Sequence, residues 1–259
     1  MKMLKLNIDY KTSFEELNEK IRNTTEKHIQ INNCVGQRYI AAGLSGKKID
    51  IEGIPGNALG AYLNESVIHV VGNVQDATGD TMNGGEIVIH GCAGDATGYA
   101  MRGGTIYIRG NTGYRAGIHM KAYQSQQPVI VIGGEAGSFL GEYQAGGMIV
   151  VLGLDLPKKL DGRDYAGHPY KRPDVGDFLG TGMHGGKIYI RLHGNEEPDV
   201  PDYIVKERAK GESISEIKGY LKKFATYFDD VDINELLQSD FVILSPNPEK
   251  PYKQIYCGN

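Results

Sequence analysis

The chain has 259 residues, of which 36 are glycine, about twice the ordinary share. That content, with only 10 prolines, excludes collagen and a low-complexity linker and leaves a folded chain with a sizeable core and many tight turns. A net charge of −4 with both signs spread along the chain argues against a dedicated nucleic-acid or anionic-membrane binder, and every apolar run falls short of the ~18 residues of a membrane span.

The N-terminus, Met1 to Tyr10, lacks an uninterrupted apolar stretch, so no signal peptide is expected. Cys34, Cys92 and Cys257 are odd in number and far apart in sequence. They read as reduced thiols of a cytoplasmic protein rather than as a metal or redox motif. Ser13-Phe14-Glu15-Glu16 has capping-box spacing and opens a helix with Phe14, Leu17 and Ile21 on one face.

A repeat of nineteen residues then takes over. Gly53, Gly72, Gly91 and Gly110 keep this step, as do Gly60, Gly79, Gly98 and Gly117. Apolar triplets recur in the same phase: 49–51, 68–70, 87–89 and 106–108. After five extra residues the pattern resumes at 130–132 and 149–151, and it closes at 188–190. Each triplet has Ile or Val at both ends, so period two predicts seven strands with these residues inward. The central residues, Asp50, His69, Val88, Tyr107, Val131, Val150 and Tyr189, are expected to face outward. Met82, Met101 and Met120, with Met183 in phase, read as a ladder of adaptable core side chains.

Nineteen residues are too few for a propeller blade, and the leucine-rich pattern is missing. A single-stranded parallel β-helix fits. Seven strands climbing ~4.8 Å each give a column of roughly 34 Å.

Candidate contact residues lie along this column. Arg102 and Lys121 share one phase, Arg109 and Arg115 project from neighbouring repeats, and His119 sits on a turn beside Gly117. Between Gly153 and Gly176 the repeat is broken by a loop, 154–175, that carries Arg163, His168, Tyr170 and Arg172. Long loops on rigid scaffolds often carry function. Gly180 to Gly185 spells G-x-G-x-x-G, but a strand rather than a helix follows, which argues against a dinucleotide site. The seven histidines form no H-x-x-x-H pair, and no G-x-S-x-G elbow is present. No catalytic, cofactor-binding or metal-ligating residue is therefore assigned.

Beyond the column, Ser213-Ile214-Ser215-Glu216 repeats the capping-box spacing. A helix carrying Ile214, Ile217, Leu221, Phe224 and Phe228 is expected, then a short one capped by Asp232. Phe241 to Leu244 reads as a strand, and Pro246, Pro248 and Pro251 favour an extended arm. The chain thus divides into an N-terminal helical flank (1–29), a β-helix domain (30–192) and a C-terminal helical cap with its tail (193–259).

Residues 79–89, 141–153 and 176–190 resemble the GXGXG domain, the C-terminal β-helix of the glutamate synthase large (alpha) subunit. Asn33 to Leu44 resembles the opening segment of its stand-alone versions. The resemblance implies a right-handed parallel β-helix of about seven coils that is not itself catalytic. In that family, ammonia from glutamine is passed to 2-oxoglutarate and the imine is reduced at an FMN and iron–sulfur domain. The resemblance therefore implies a scaffold subunit of an oxidoreductase complex in nitrogen metabolism and glutamate biosynthesis. Its partners would be a glutamine amidotransferase chain and an FMN-binding synthase chain that also holds the iron–sulfur cluster. A homo-oligomer is a further expectation; nucleic acid and membrane are not. The candidate interface is Arg102, Arg115, His119, Lys121, Arg163, His168, Tyr170 and Arg172. Two alternatives carry the same reading of the repeat: a chain similar to the β-helix subunit of formylmethanofuran dehydrogenase, a molybdenum or tungsten enzyme, and a stand-alone β-helix enzyme acting on a polysaccharide.

Overall fold

The computed structural model describes residues 2–156, 174–194 and 196–249, and the backbone of 159–160 and 163–164. It is mainly β: one eleven-stranded, mostly parallel sheet with a few helices.

The sheet begins with β1 (Met3–Asn7), crosses over through α1 (Phe14–Asn23) and returns as β2 (His28–Val35). It continues through β3 (Lys48–Ile54), β4 (Val67–Val71), β5 (Glu86–Ile89), β6 (Thr105–Ile108), β7 (Val129–Ile132) and β8 (Ala145–Val151). A hairpin of β9 (Lys159–Leu160) and β10 (Arg163–Asp164) stands apart as a second sheet. The main sheet resumes with β11 (Gly185–Arg191), parallel to β8. All seven strands expected from the repeat are present.

Register follows the repeat. Ile29, Ile49, Ile68, Ile87, Ile106, Ile130, Ile149 and Ile188 are successive Cα partners across the parallel strands, and all are fully buried. The next inward position runs Ile31, Ile51, Val70, Ile89, Ile108, Ile132, Val151 and Ile190, equally covered. β-branched side chains fit such a stacked face because their χ1 is already restricted. Met82, Met101, Met120 and Met183 complete this core at zero exposure. Away from the strands, the connecting segments also stack, through bridges that link Val74, Ala93, Thr112, Ala136 and Val175 in turn.

Five of the central residues face outward as expected but are covered rather than solvated. Val88, Tyr107, Val131, Val150 and Tyr189 point away from the inner core yet are buried. They form a second core with α2 (Ser215–Tyr227) and α3 (Ile233–Gln238), through Ile217, Leu221, Phe224 and Leu236. The C-terminal helices thus line the outer face of the sheet rather than cap its end. The end is closed by β13 (Phe241–Pro246), antiparallel to β11, and by β12 (Ile204–Ala209), antiparallel to β13. β13 serves both cores, Val242 and Leu244 inward and Phe241 and Ile243 outward.

At the other end, α1 buries Leu17 and Ile21 in the inner core. Ser13 caps it by accepting a bond from the Glu16 N–H, and Lys47 Nζ donates to the carbonyls of Ile21 and Thr24 at its C-terminus. Asp232 caps α3 as expected. The Ser213 cap is not made. A 3-10 turn, Gly211–Ile214, precedes α2, whose N-cap is Ile214 without a side-chain bond. The Glu216 carboxylate instead accepts bonds from Lys187 Nζ and Tyr189 Oη. The bond from Lys187 outweighs burial and holds that carboxyl below its usual range.

Candidate functional site

Each repeat turns through three residues with positive φ at alternate positions. In one repeat they are Ala96, Gly98 and Ala100, and in the next Arg115, Gly117 and His119. The pattern recurs as Phe139, Gly141 and Tyr143, and as Phe178, Gly180 and Gly182. Their amides alternate direction. Arg115 N–H donates to Ser138 O at 2.9 Å and His119 N–H to Glu142 O at 2.9 Å, while Gly117 N–H donates backward to Thr97 O at 2.8 Å.

The middle column must be glycine for a second reason. A Cβ on Gly98 would lie 2.5 Å from Ile130 Cδ1, and one on Gly117 2.5 Å from Ile149 Cδ1. Each such glycine therefore seats the δ-methyl of an inward isoleucine. The flanking columns point outward and admit side chains, at a left-handed cost of roughly 1–2 kcal/mol per residue.

After Tyr39 in the first repeat, Ala58, Ala77 and Ala96 occupy the first column of three successive repeats. In the later repeats bulky groups replace alanine. The Arg115 guanidinium lies 4.5 Å from the Phe139 ring centroid, and Phe139 stacks on Phe178 at 4.8 Å and 15°. Phe178 is 63% exposed. In the third column His119 stacks on Tyr143 at 5.1 Å and 9°, and Tyr99 meets the His119 ring edge-on at 5.9 Å. Arg115 Nε also donates to Glu142 at 3.0 Å.

Arg102 and Lys121 are exposed and share one phase of successive repeats. Arg102, Arg115, His119 and Lys121 are thus all exposed. Arg163, His168, Tyr170 and Arg172 lie outside the residues whose side chains are described. Arg109, by contrast, is buried. Its side chain is 7% exposed and forks onto Asp230, with Nε at 3.0 Å and Nη2 at 2.6 Å, while Nη1 reaches Asp155 O. Burial opposes ionisation of Asp230, but the Arg109 bonds prevail and hold its carboxyl below the usual range.

Arg109 is one wall of a polar cleft of about 430 Å³ between the sheet and the α2–α3 connection. Arg191, 9% exposed, is another, bonded to Glu235, Ser239 Oγ and Leu152 O. The arginine donors are taken up by these neighbours, so the two pairs read as clamps that hold residues 228–239 on the sheet. At the cleft's edge His193 Nε2 lies 3.5 Å from Asp174, whose carboxyl burial pushes up.

A third polar cluster lies under α2. Glu86 accepts bonds from Lys223 Nζ and Tyr227 Oη. Tyr227 meets the His69 ring edge-on at 5.4 Å, and Phe228 meets His90 at 5.2 Å. Burial, above all, pulls both imidazoles below their ordinary value. Cys34 is buried beside Gln37, and burial pushes its thiol up to about 12, which makes it inert at neutral pH. Among the described residues no group of three His, Cys, Asp or Glu side chains is placed to hold a metal ion, and no helix is long and apolar enough to cross a membrane.

Sequence reasoning located the glycine column but missed the left-handed columns that flank it. The available signal was the small-residue run Ala58, Ala77, Ala96 at the nineteen-residue step, which gives way to arginine and phenylalanine.

The chain is a member of the GXGXG motif family, matching it over residues 2–246. It is 45% identical over 253 residues to the uncharacterized protein MJ1350 of Methanocaldococcus jannaschii, a match that covers 94% of this chain and 92% of that protein.

Proposed function

We propose that this protein is a non-catalytic scaffold subunit of a glutamate synthase-type complex. The observation that carries the reading is the extent of the family match, residues 2–246 of 259: nearly the whole chain is the GXGXG module. We read the stacked repeats as a right-handed parallel β-helix of about seven coils. Its interior is packed with isoleucine and methionine, which suits a rigid spacer better than a reaction chamber. Separate chains would carry the chemistry: a glutamine amidotransferase that releases ammonia, and a synthase that holds FMN and an iron–sulfur cluster. The column would hold these two in a fixed relation in the cytoplasm.

The test is to isolate the protein gently from its own cells and assay what accompanies it. Glutamine- and 2-oxoglutarate-dependent glutamate formation that disappears when this chain is depleted supports the reading. Partners that contain molybdenum or tungsten, or polysaccharide turnover by the chain alone, would replace it.

A further inference from the structure

We infer that the face bearing Arg102, Arg115, His119, Lys121 and Phe178 is a docking surface for an acidic segment of a partner protein. Three observations converge on it. The first is backbone strain. Arg115, Phe139 and Phe178 hold positive φ in a column where the three preceding repeats carry Ala58, Ala77 and Ala96, and His119 holds it where the repeat before carries Ala100. Bulky side chains persist in such conformations where function repays the strain. The second is charge. Arg102 and Lys121 occupy the same position on successive repeats, one rise of ~4.8 Å apart, and among the described residues neither meets a carboxylate. Stacked like charges destabilise a fold. The preceding repeats carry Asn64 and Asn83 at this position, so the fold does not require the pair. The third is the shape of the exposed aromatic surface. Phe178 presents a ring to solvent over the Phe139 and Arg115 stack, and His119 lies flat on Tyr143. Aromatic and arginine anchors of this kind dominate binding energy at protein interfaces.

Charge complementarity selects the occupant. Glu142 is largely buried and already bonded to Arg115, and against the exposed Asp177 beside Phe178 stand exposed Arg102, Arg115 and Lys121, so the exposed charge is on balance cationic. The matching surface carries Asp or Glu with apolar residues between them. This deepens the scaffold reading by naming the chemistry of a partner's surface, and it rests on that reading only for the existence of a partner.

The test is a titration of the purified full chain with a fluorescein-labelled fifteen-residue peptide of Glu-Glu-Phe repeats. A Gln-Gln-Phe peptide and an oligothymidylate of equal length are the comparators. The expected result is binding by the acidic peptide alone, weakened by salt. The double variant Arg102→Asn/Lys121→Asn should weaken it at least tenfold. His119→Gly should weaken it at least fivefold without lowering the thermal midpoint, because glycine relieves the strain. Lys11→Asn, remote in the fold, should change nothing. The inference is overturned by failure of the acidic peptide to bind, by equal binding of the glutamine peptide, by preferential binding of oligothymidylate, or by a double variant that binds like the parent. The titration needs no synthase or amidotransferase, so its failure and failure of the glutamate-synthase reading are separate results.

Discussion

A methyl group on residue 98 would meet Ile130 Cδ1 at 2.5 Å, on a backbone with φ of +70°. Two residues earlier Ala96 carries its methyl at φ +53° facing outward. The same conformation is therefore obligatory for glycine at one position and tolerant at its neighbour, and packing makes the difference. Gly98→Ala should cost about 2 kcal/mol or more, the left-handed penalty plus the displaced isoleucine. Ala96→Gly should stay within about 1 kcal/mol of the parent. Urea unfolding of the two variants checks this, and equal midpoints would refute the packing argument. At Arg109 the residue-scale question is charge. Asp230→Asn removes the counter-ion of a buried guanidinium, and because Asp230 is half exposed it should destabilise the fold by about 1 kcal/mol, read from the same unfolding curves. A loss below about 0.5 kcal/mol would mean that the pair is solvated.

At the scale of elements, α2 sits on the sheet through Phe224 and Leu221 and ends over two half-buried histidines. His69 faces Lys48, Asp50, Glu86 and Lys223, and His90 faces His69, Asp229 and Asp230. Both imidazoles are held below 6.5, chiefly by burial. The unfolded chain binds these protons more readily, so stability is full above about pH 6.5 and is lost as pH falls from there through the lowered folded-state values. The urea midpoint should drop between pH 7.5 and pH 5.5, and His69→Phe/His90→Phe should flatten the drop. An unchanged slope in that variant would show that other groups carry it.

The elements also show what a sequence can and cannot reveal. Ile87-Val88-Ile89 displays its inward residues through period two alone. The burial of Val88 between them depends on the C-terminal end of α2, where Lys223 and Tyr227 bond the neighbouring Glu86 and Phe228 meets His90, some 140 residues away, and no local pattern records that packing. The helix spacing of Ile217, Leu221 and Phe224 was legible, but the surface that it covers was not. Ser213 looked like a cap because capping-box spacing is local. The 3-10 turn that begins at Gly211, with φ +61°, displaced it. The docking face was half legible. Arg102 and Lys121 share a phase in the sequence, whereas left-handed Arg115 and Phe178 carry no compositional mark as glycine does.

On the scale of the whole molecule, eight aligned isoleucines and four methionines make a column whose interior is continuous from α1 to β13. Such a structure is stabilised between neighbouring repeats, so a defect at its middle should be global. Ile89→Asp places a charge between stacked strands and should abolish cooperative unfolding. A soluble variant with the parent's circular dichroism spectrum and melting curve would overturn the assignment of Ile89 to the interior. A continuous, filled column also explains why the function proposed for this chain is positional, with reaction chemistry left to other chains.

That claim is tested most directly by the composition and absorption spectrum of the assembly isolated from the protein's own cells. The scaffold account predicts a complex much larger than the 28.3 kDa chain, with flavin and iron–sulfur absorption and an amidotransferase chain in fixed stoichiometry. A colourless assembly of this chain alone would contradict it.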